Sequence, residues 1–196
     1  MKRFSLIAAI SLLFFYIQIT SATGVDIPVL CADKSSYEVR TSNVIKGCAS
    51  NEISLGEGPI VFSLTAERKL NVTLDARFNA AKSAAAKEGI ELRIVSGYRS
   101  FERQTYLFNQ AIKKYGSYRA ASKWVAPAEL SHHQLGLAID VNYPNEPKAA
   151  YWLEVHGYKF GLCRIFKNEW WHFEGNIAPG WRCPPLLKNA RALIKP

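Results

Sequence analysis

Hydrophobic positions change their spacing several times along this chain, and each change marks a predicted element. A largely apolar run extends from Phe4 to about Ile19, directly after Lys2 and Arg3, and gives way to Thr20, Ser21, Ala22 and Thr23. From residue 24 to 60, Pro28, Gly56, Gly58 and Pro59 punctuate short apolar pieces without helical period, which predicts irregular structure. Leu74, Phe78, Ala81, Ala85 and Ala86 then share one helical face, with Thr73 placed to cap it and Gly89 to stop it. A strand is expected over Glu91–Val95, where leucine, isoleucine and valine crowd together. Ser100 is positioned to cap a second helix that runs to Tyr115 and closes at Gly116.

Further on, the pattern predicts a short helix over Tyr118–Trp124, ended at the latest by Pro127. Leu137–Val141 is apolar apart from Asp140 and reads as a strand, followed by a helix over Pro147–His156 with Gly157 as its stop. Two short strands complete the set, near Leu162–Phe166 and Trp171–Phe173. Helices that precede and interrupt a small sheet argue for an α+β domain with a mainly antiparallel sheet and flanking helices.

The first apolar run changes the picture by fixing the compartment. A basic start, an apolar stretch and small residues at Ala22 form a secretory signal peptide over residues 1–22. A retained anchor is the competing reading, but the run is slightly short for a bilayer span. Cleavage leaves 174 residues, suited to one domain: a disulfide-tied extension over 23–59 and the main body over 60–196. With no second span, the mature protein is expected to carry no stable membrane anchor and to be secreted, or held in the periplasm or cell envelope, as a monomer.

All four cysteines follow the signal, and an even count in an oxidising compartment favours two disulfides. Three pairings exist; Cys31 with Cys48 and Cys163 with Cys183 are favoured because each closes a short loop. None sits in a CxxC knuckle, which argues against a cysteine metal site. The formal net charge of +9 falls to +7 when Lys2 and Arg3 leave with the signal. A basic exported protein is drawn to anionic polymers such as cell-wall material, and nucleic acid is not expected as a partner outside the cytoplasm.

Chemistry concentrates in two segments. In Ser131-His132-His133-Gln134-Leu135-Gly136-Leu137-Ala138-Ile139-Asp140, a histidine and an aspartate stand seven residues apart across a glycine turn, and both side-chain types are good zinc ligands. On a strand Ala138 and Asp140 share a face, so a small side chain would leave room beside a metal. In Glu169-Trp170-Trp171-His172, a carboxylate precedes a histidine by three residues, offering a third ligand and a base. Residues three apart point oppositely on a straight strand, so a bend at Trp170 is expected.

Together with Ser96-Gly97-Tyr98-Arg99-Ser100, these segments resemble the three motifs of the zinc D-alanyl-D-alanine carboxypeptidase and dipeptidase family, which includes the VanY and VanX proteins. Ser131, His133, Gly136, Ala138 and Asp140 meet its second motif, and the likeness covers roughly residues 60–175. It implies the fold those peptidases share with hedgehog signalling domains. It also implies one zinc ion per chain held by His133, Asp140 and His172, with Glu169 as catalytic base and Arg99 as the cation facing the substrate. Its motif spacing selects His133 over the extra His132 as ligand.

Ser131, Gln104 and Trp171 are candidate substrate contacts. Gln104 is weighed against a solvated helix residue, and Ser131 against a hydrogen bond to its own loop. The expected activity is hydrolysis of peptidoglycan stem peptides by a D,D- or L,D-carboxypeptidase that releases terminal D-alanine. A peptidoglycan endopeptidase or lysin, and a zinc-bearing binding module without catalysis, are the alternatives.

Overall fold

A computed structural model describes residues 28–43, 46–56 and 70–194. The signal segment and the boundary between residues 59 and 60 lie outside them. Seven strands and four α-helices follow in the order β1 (Pro28–Asp33), β2 (Val39–Asn43), β3 (Glu52–Ser54), α1 (Val72–Lys87), β4 (Ile94–Ser96), α2 (Phe101–Tyr115), α3 (Tyr118–Ala121), β5 (Ala138–Val141), α4 (Pro147–His156), β6 (Cys163–Arg164) and β7 (His172–Glu174). The strands form a three-stranded sheet ordered β2-β1-β3 and a four-stranded sheet ordered β4-β5-β7-β6. Every strand pairing in both is antiparallel.

The expectation of irregular structure over 24–60 fails for β1 to β3. Only β1 carries a run of buried side chains, Val29, Cys31 and Ala32, while β2 is the polar Val39-Arg40-Thr41-Ser42-Asn43. Pairing rather than periodicity makes these segments strands, and pairing partners are invisible to a local pattern. The Cys31–Cys48 disulfide ties the sheet, and Ala32 and Leu55 join one core with Leu74, Phe78, Ile139 and Phe173.

Local signals fared better in the helices. Ser100 caps α2 by accepting from the Arg103 N–H at 3.2 Å, and Gly116, at φ 80°, closes it. At α1 the cap is Asn71 rather than Thr73, because the Asn71 side-chain Oδ1 accepts from both Thr73 and Leu74 N–H groups while Thr73 lies inside the first turn. α3 ends at Ala121, three residues short of Trp124. At Gly157 the chain stays right-handed and tightens into a 3-10 turn, so the left-handed stop falls at Gly161, φ 75°.

β5 runs through the middle of the second sheet with all four residues buried, and it carries Asp140. Two other strands of this sheet are shorter than expected. β4 begins at Ile94 because the Arg93 N–H bonds the Asn142 side chain instead of a ladder carbonyl. β6 shrinks to Cys163–Arg164, where the Cys163–Cys183 disulfide fastens the C-terminal segment. That segment also pairs Leu187 with Phe166.

Candidate metal centre and cleft

Register places the first two site residues. Asp140 lies opposite His172 across β5–β7 and opposite Ser96 across β5–β4. Two residues before β5, Gly136 adopts φ 65° and ends a 3-10 turn over His132–Leu135, which swings His133 back onto Asp140. The third segment bends where expected: the His172 N–H reaches the Glu169 carbonyl at 3.3 Å, and this turn through Trp170 and Trp171 brings Glu169 to the side of His172. The Glu169 carboxylate stands 3.9 Å from His172 Nδ1.

Asp140 Oδ1 is 3.3 Å from His133 Nε2 and 3.3 Å from His172 Nδ1. The other ring nitrogen of each histidine meets an acceptor: His133 Nδ1 the Gly97 carbonyl at 2.7 Å, and His172 Nε2 Glu174 Oε1 at 3.0 Å. Those bonds hold one proton of each ring away from Asp140, so each ring, once neutral, turns its remaining nitrogen lone pair toward the same carboxylate oxygen. His133 Nε2 and Asp140 Oδ1 are buried and have no hydrogen-bond partner among the described residues. Both contacts with Asp140 fall within ion-pair range.

Once the histidine nitrogens that face Asp140 are free of protons, three acceptors converge on one point and form a cradle for a cation. Ligand atoms about 2.0–2.1 Å from a tetrahedral zinc stand about 3.3 Å from one another, and a His–Asp–His set matches its preferences. The donor atoms of His133, Asp140 and His172 all lie within 4.8 Å of one another, so the residues fit zinc. Cys31, Cys48 and Glu52 also group together, but both sulfurs are spent in a disulfide.

The electrostatics follow from burial and these contacts. Burial lowers the pKa of His133, favouring its neutral form. Burial opposes charge on Asp140, yet contacts with His133 and His172 hold its carboxyl well below the usual range. For His172, burial is outweighed by Asp140 and Glu174, which push the imidazole up to about 10. Burial raises Glu169 to about 7, and its Oε1 is buried without a hydrogen-bond partner among the described residues. A carboxyl poised near neutrality beside the cradle has the properties of a general base.

Arg99 is tied into the protein more fully than a substrate-facing cation needs. Its Nε donates to Ser96 Oγ at 2.8 Å, Nη1 to Gln104 Oε1 at 3.4 Å, and Nη2 to the free Oδ2 of Asp140. Its own N–H donates to the His133 carbonyl at 3.1 Å, which docks the turn after β4 onto the histidine turn. Gln104 is buried rather than solvated, and its amide donates to the Ala126 carbonyl at 2.8 Å. Ser131 is buried at the start of the histidine turn and makes no side-chain cap to it. Trp171 stacks obliquely on Tyr143, ring centroids 4.3 Å apart. All four residues line a cleft of ≈ 750 Å³ that also exposes His132, His133, Asp140, Glu169 and His172.

Sequence reasoning missed Glu174. It bonds His172 through one oxygen and His132 Nδ1 through the other at 2.8 Å. The only signal was a carboxylate two residues after His172, on the same strand face.

Fold and site together define an α+β scaffold of the D-alanyl-D-alanine peptidase type, with a His–Asp–His cation cradle at the floor of a cleft. The model of the VanY family, described as D-alanyl-D-alanine carboxypeptidase, matches residues 67–177, and the chain belongs to that family. It is 32% identical over 112 residues to a D-alanyl-D-alanine carboxypeptidase of Enterococcus faecalis, covering 46% of this chain and 42% of that protein. It is also 32% identical over 93 residues to the peptidoglycan L-alanyl-D-glutamate endopeptidase CwlK of Bacillus subtilis, covering 47% and 50%. The crystal structure of a variant of the vancomycin-resistance D,D-pentapeptidase VanY, from a VanB-type cassette in complex with Zn(II), superposes with a TM-score of 0.50. That similarity comes at 25% identity and covers 59% of this chain and 78% of the other. The chain spans half or less of the length of the curated relatives it matches.

Proposed function

We propose that this chain is a zinc-dependent carboxypeptidase that removes the terminal D-alanine from peptidoglycan stem peptides outside the cytoplasm. The observation that carries the reading is the convergence of His133 Nε2, Asp140 Oδ1 and His172 Nδ1 on three buried side chains, all within 4.8 Å of one another, with the Glu169 carboxylate beside them. His133, Asp140 and His172 would hold one zinc ion. Bound there, zinc supplies Lewis-acid polarisation of a substrate carbonyl and acidifies a coordinated water toward about 7.

The remaining work falls to side chains of this chain. Glu169, raised by burial, takes the proton of the attacking water and passes it to the leaving amine. Arg99 braces the outer oxygen of Asp140 and adds positive charge at the cleft floor, where the carbonyl oxygen gains negative charge. Gln104 holds the Arg99 guanidinium, and Ser131 and Trp171 offer polar and aromatic contacts to the peptide.

Mass analysis of products from intact tetrapeptide and pentapeptide stems tests this. Loss of a single D-alanine is expected, from the pentapeptide for a D,D-enzyme and from the tetrapeptide for an L,D-enzyme. Similarity to CwlK favours a second reading, cleavage inside the stem, which would appear as two peptide fragments. Binding without any cleavage by the zinc-loaded protein would refute the enzymatic reading.

A further inference from the structure

We infer that Glu174 is a positioning residue that fixes which nitrogen of His172 meets the cation, with His132 as its anchor. The inference rests on the metal-binding reading above and concerns residues that reading leaves without a role.

An imidazole offers a metal whichever ring nitrogen lacks a proton, so the partner of the opposite nitrogen decides the ligand atom. For His133 that partner is the Gly97 carbonyl, which can only accept a proton and therefore frees Nε2. For His172 it is Glu174 Oε1, 3.0 Å from Nε2, which frees Nδ1 toward Asp140. The two histidines thus present opposite nitrogens to one centre, and each choice is enforced by a separate acceptor.

The position of Glu174 is itself held from two sides. Its backbone pairs with Ala138 across β5–β7, and its side chain is 8% exposed, a dry setting that strengthens its bonds. Its second oxygen lies 2.8 Å from Nδ1 of His132, the neighbour of His133 in the histidine turn. The turn that delivers one ligand therefore also anchors the carboxylate that orients the other. This gives the extra histidine at 132 a place in the site without making it a ligand.

Zinc affinity measured by competition with a chromogenic chelator tests the assignment without reference to hydrolysis. Glu174→Ala is expected to weaken affinity by about 10–100-fold, whereas Glu174→Gln, which keeps the Oε1 acceptor, should stay within a few-fold of wild type. In the zinc-loaded protein, ¹⁵N shifts should show the His172 proton on Nε2 in wild type and mixed forms in Glu174→Ala. His132→Ala changes a side chain that is 41% exposed, so it tests the anchor even if Glu174→Ala does not fold, and should weaken zinc by about threefold or more. Wild-type affinity in the folded Glu174→Ala variant, or in His132→Ala, would overturn the corresponding part of the inference. A wild-type protein that binds no zinc would instead overturn the metal reading on which it stands.

Discussion

Asp140 on β5 stands directly across the sheet from His172 on β7, and its Oδ1 reaches the Nδ1 of that ring at 3.3 Å. Antiparallel register thus sets the spacing of two candidate ligands, while the short turn ended by Gly136 sets the third. Both residues sit on paired strands of the second sheet, so backbone pairing rather than loop geometry spaces them.

Chelation should abolish hydrolysis, and zinc should restore it. Replacing Asp140 or His133 by alanine should remove the bound metal, read as zinc content per chain after desalting. Full activity in metal-free protein would exclude the proposed mechanism.

Glu169→Gln should leave zinc content unchanged and lower kcat by about 10²–10⁴-fold, the usual contribution of a positioned general base. Turnover at the wild-type rate in this variant would remove Glu169 from the reaction.

The pH profile follows from the same carboxyl. Glu169 acts only when ionised, and burial holds it near about 7 without metal, so kcat/KM should rise with pH along an acid limb. A bound cation favours the carboxylate, which places that limb at or below about 7 in the zinc-loaded enzyme. The stability of metal-free protein moves the other way. A group with folded pKa about 7 and ordinary value 4.5 contributes fully below pH 4.5 and loses that contribution as pH rises through 7. Melts of chelated wild type should therefore weaken over this window relative to Glu169→Gln.

Arg99→Lys should be nearly as damaging as Arg99→Ala, with kcat/KM lower by about 10²-fold in both. One ammonium cannot serve Ser96, Gln104 and Asp140 together as the guanidinium fork does. Rescue by lysine would show that charge alone suffices.

Arg77 presents a test of the fold. It is fully buried in α1 and donates to the carbonyls of Leu55, just past β3, of Gly161, before β6, and of Gly175 and Ile177, after β7. Arg77→Met should cost on the order of 3 kcal/mol or more, read by chemical denaturation, because buried acceptors lose their donor. Gly161→Ala should also destabilise, since a Cβ there would sit 2.5 Å from Arg77 Nη1 at a backbone φ of 75°.

Some of this was legible in the chain alone because its causes are local. The cap at Ser100 and the stop at Gly116 depend on residues within a turn of themselves, and α2 falls where the pattern put it. The three strands before residue 56 were not legible, because β2 is polar and exposed and owes its form to β1. Both cysteine pairings were anticipated from loop length and match the structure.

The sequence by itself determined the candidate ligand types, their spacing across a glycine turn, and the carboxylate three residues before His172, because chemistry and short-range geometry are written in neighbouring residues. Tertiary structure decided which nitrogen each histidine presents, that Arg99 braces Asp140, and that Glu174 links His172 to His132. Those choices depend on hydrogen-bond partners such as Gly97 for His133 and Glu174 for His132, which lie 36 and 42 residues apart and meet only when the sheet closes.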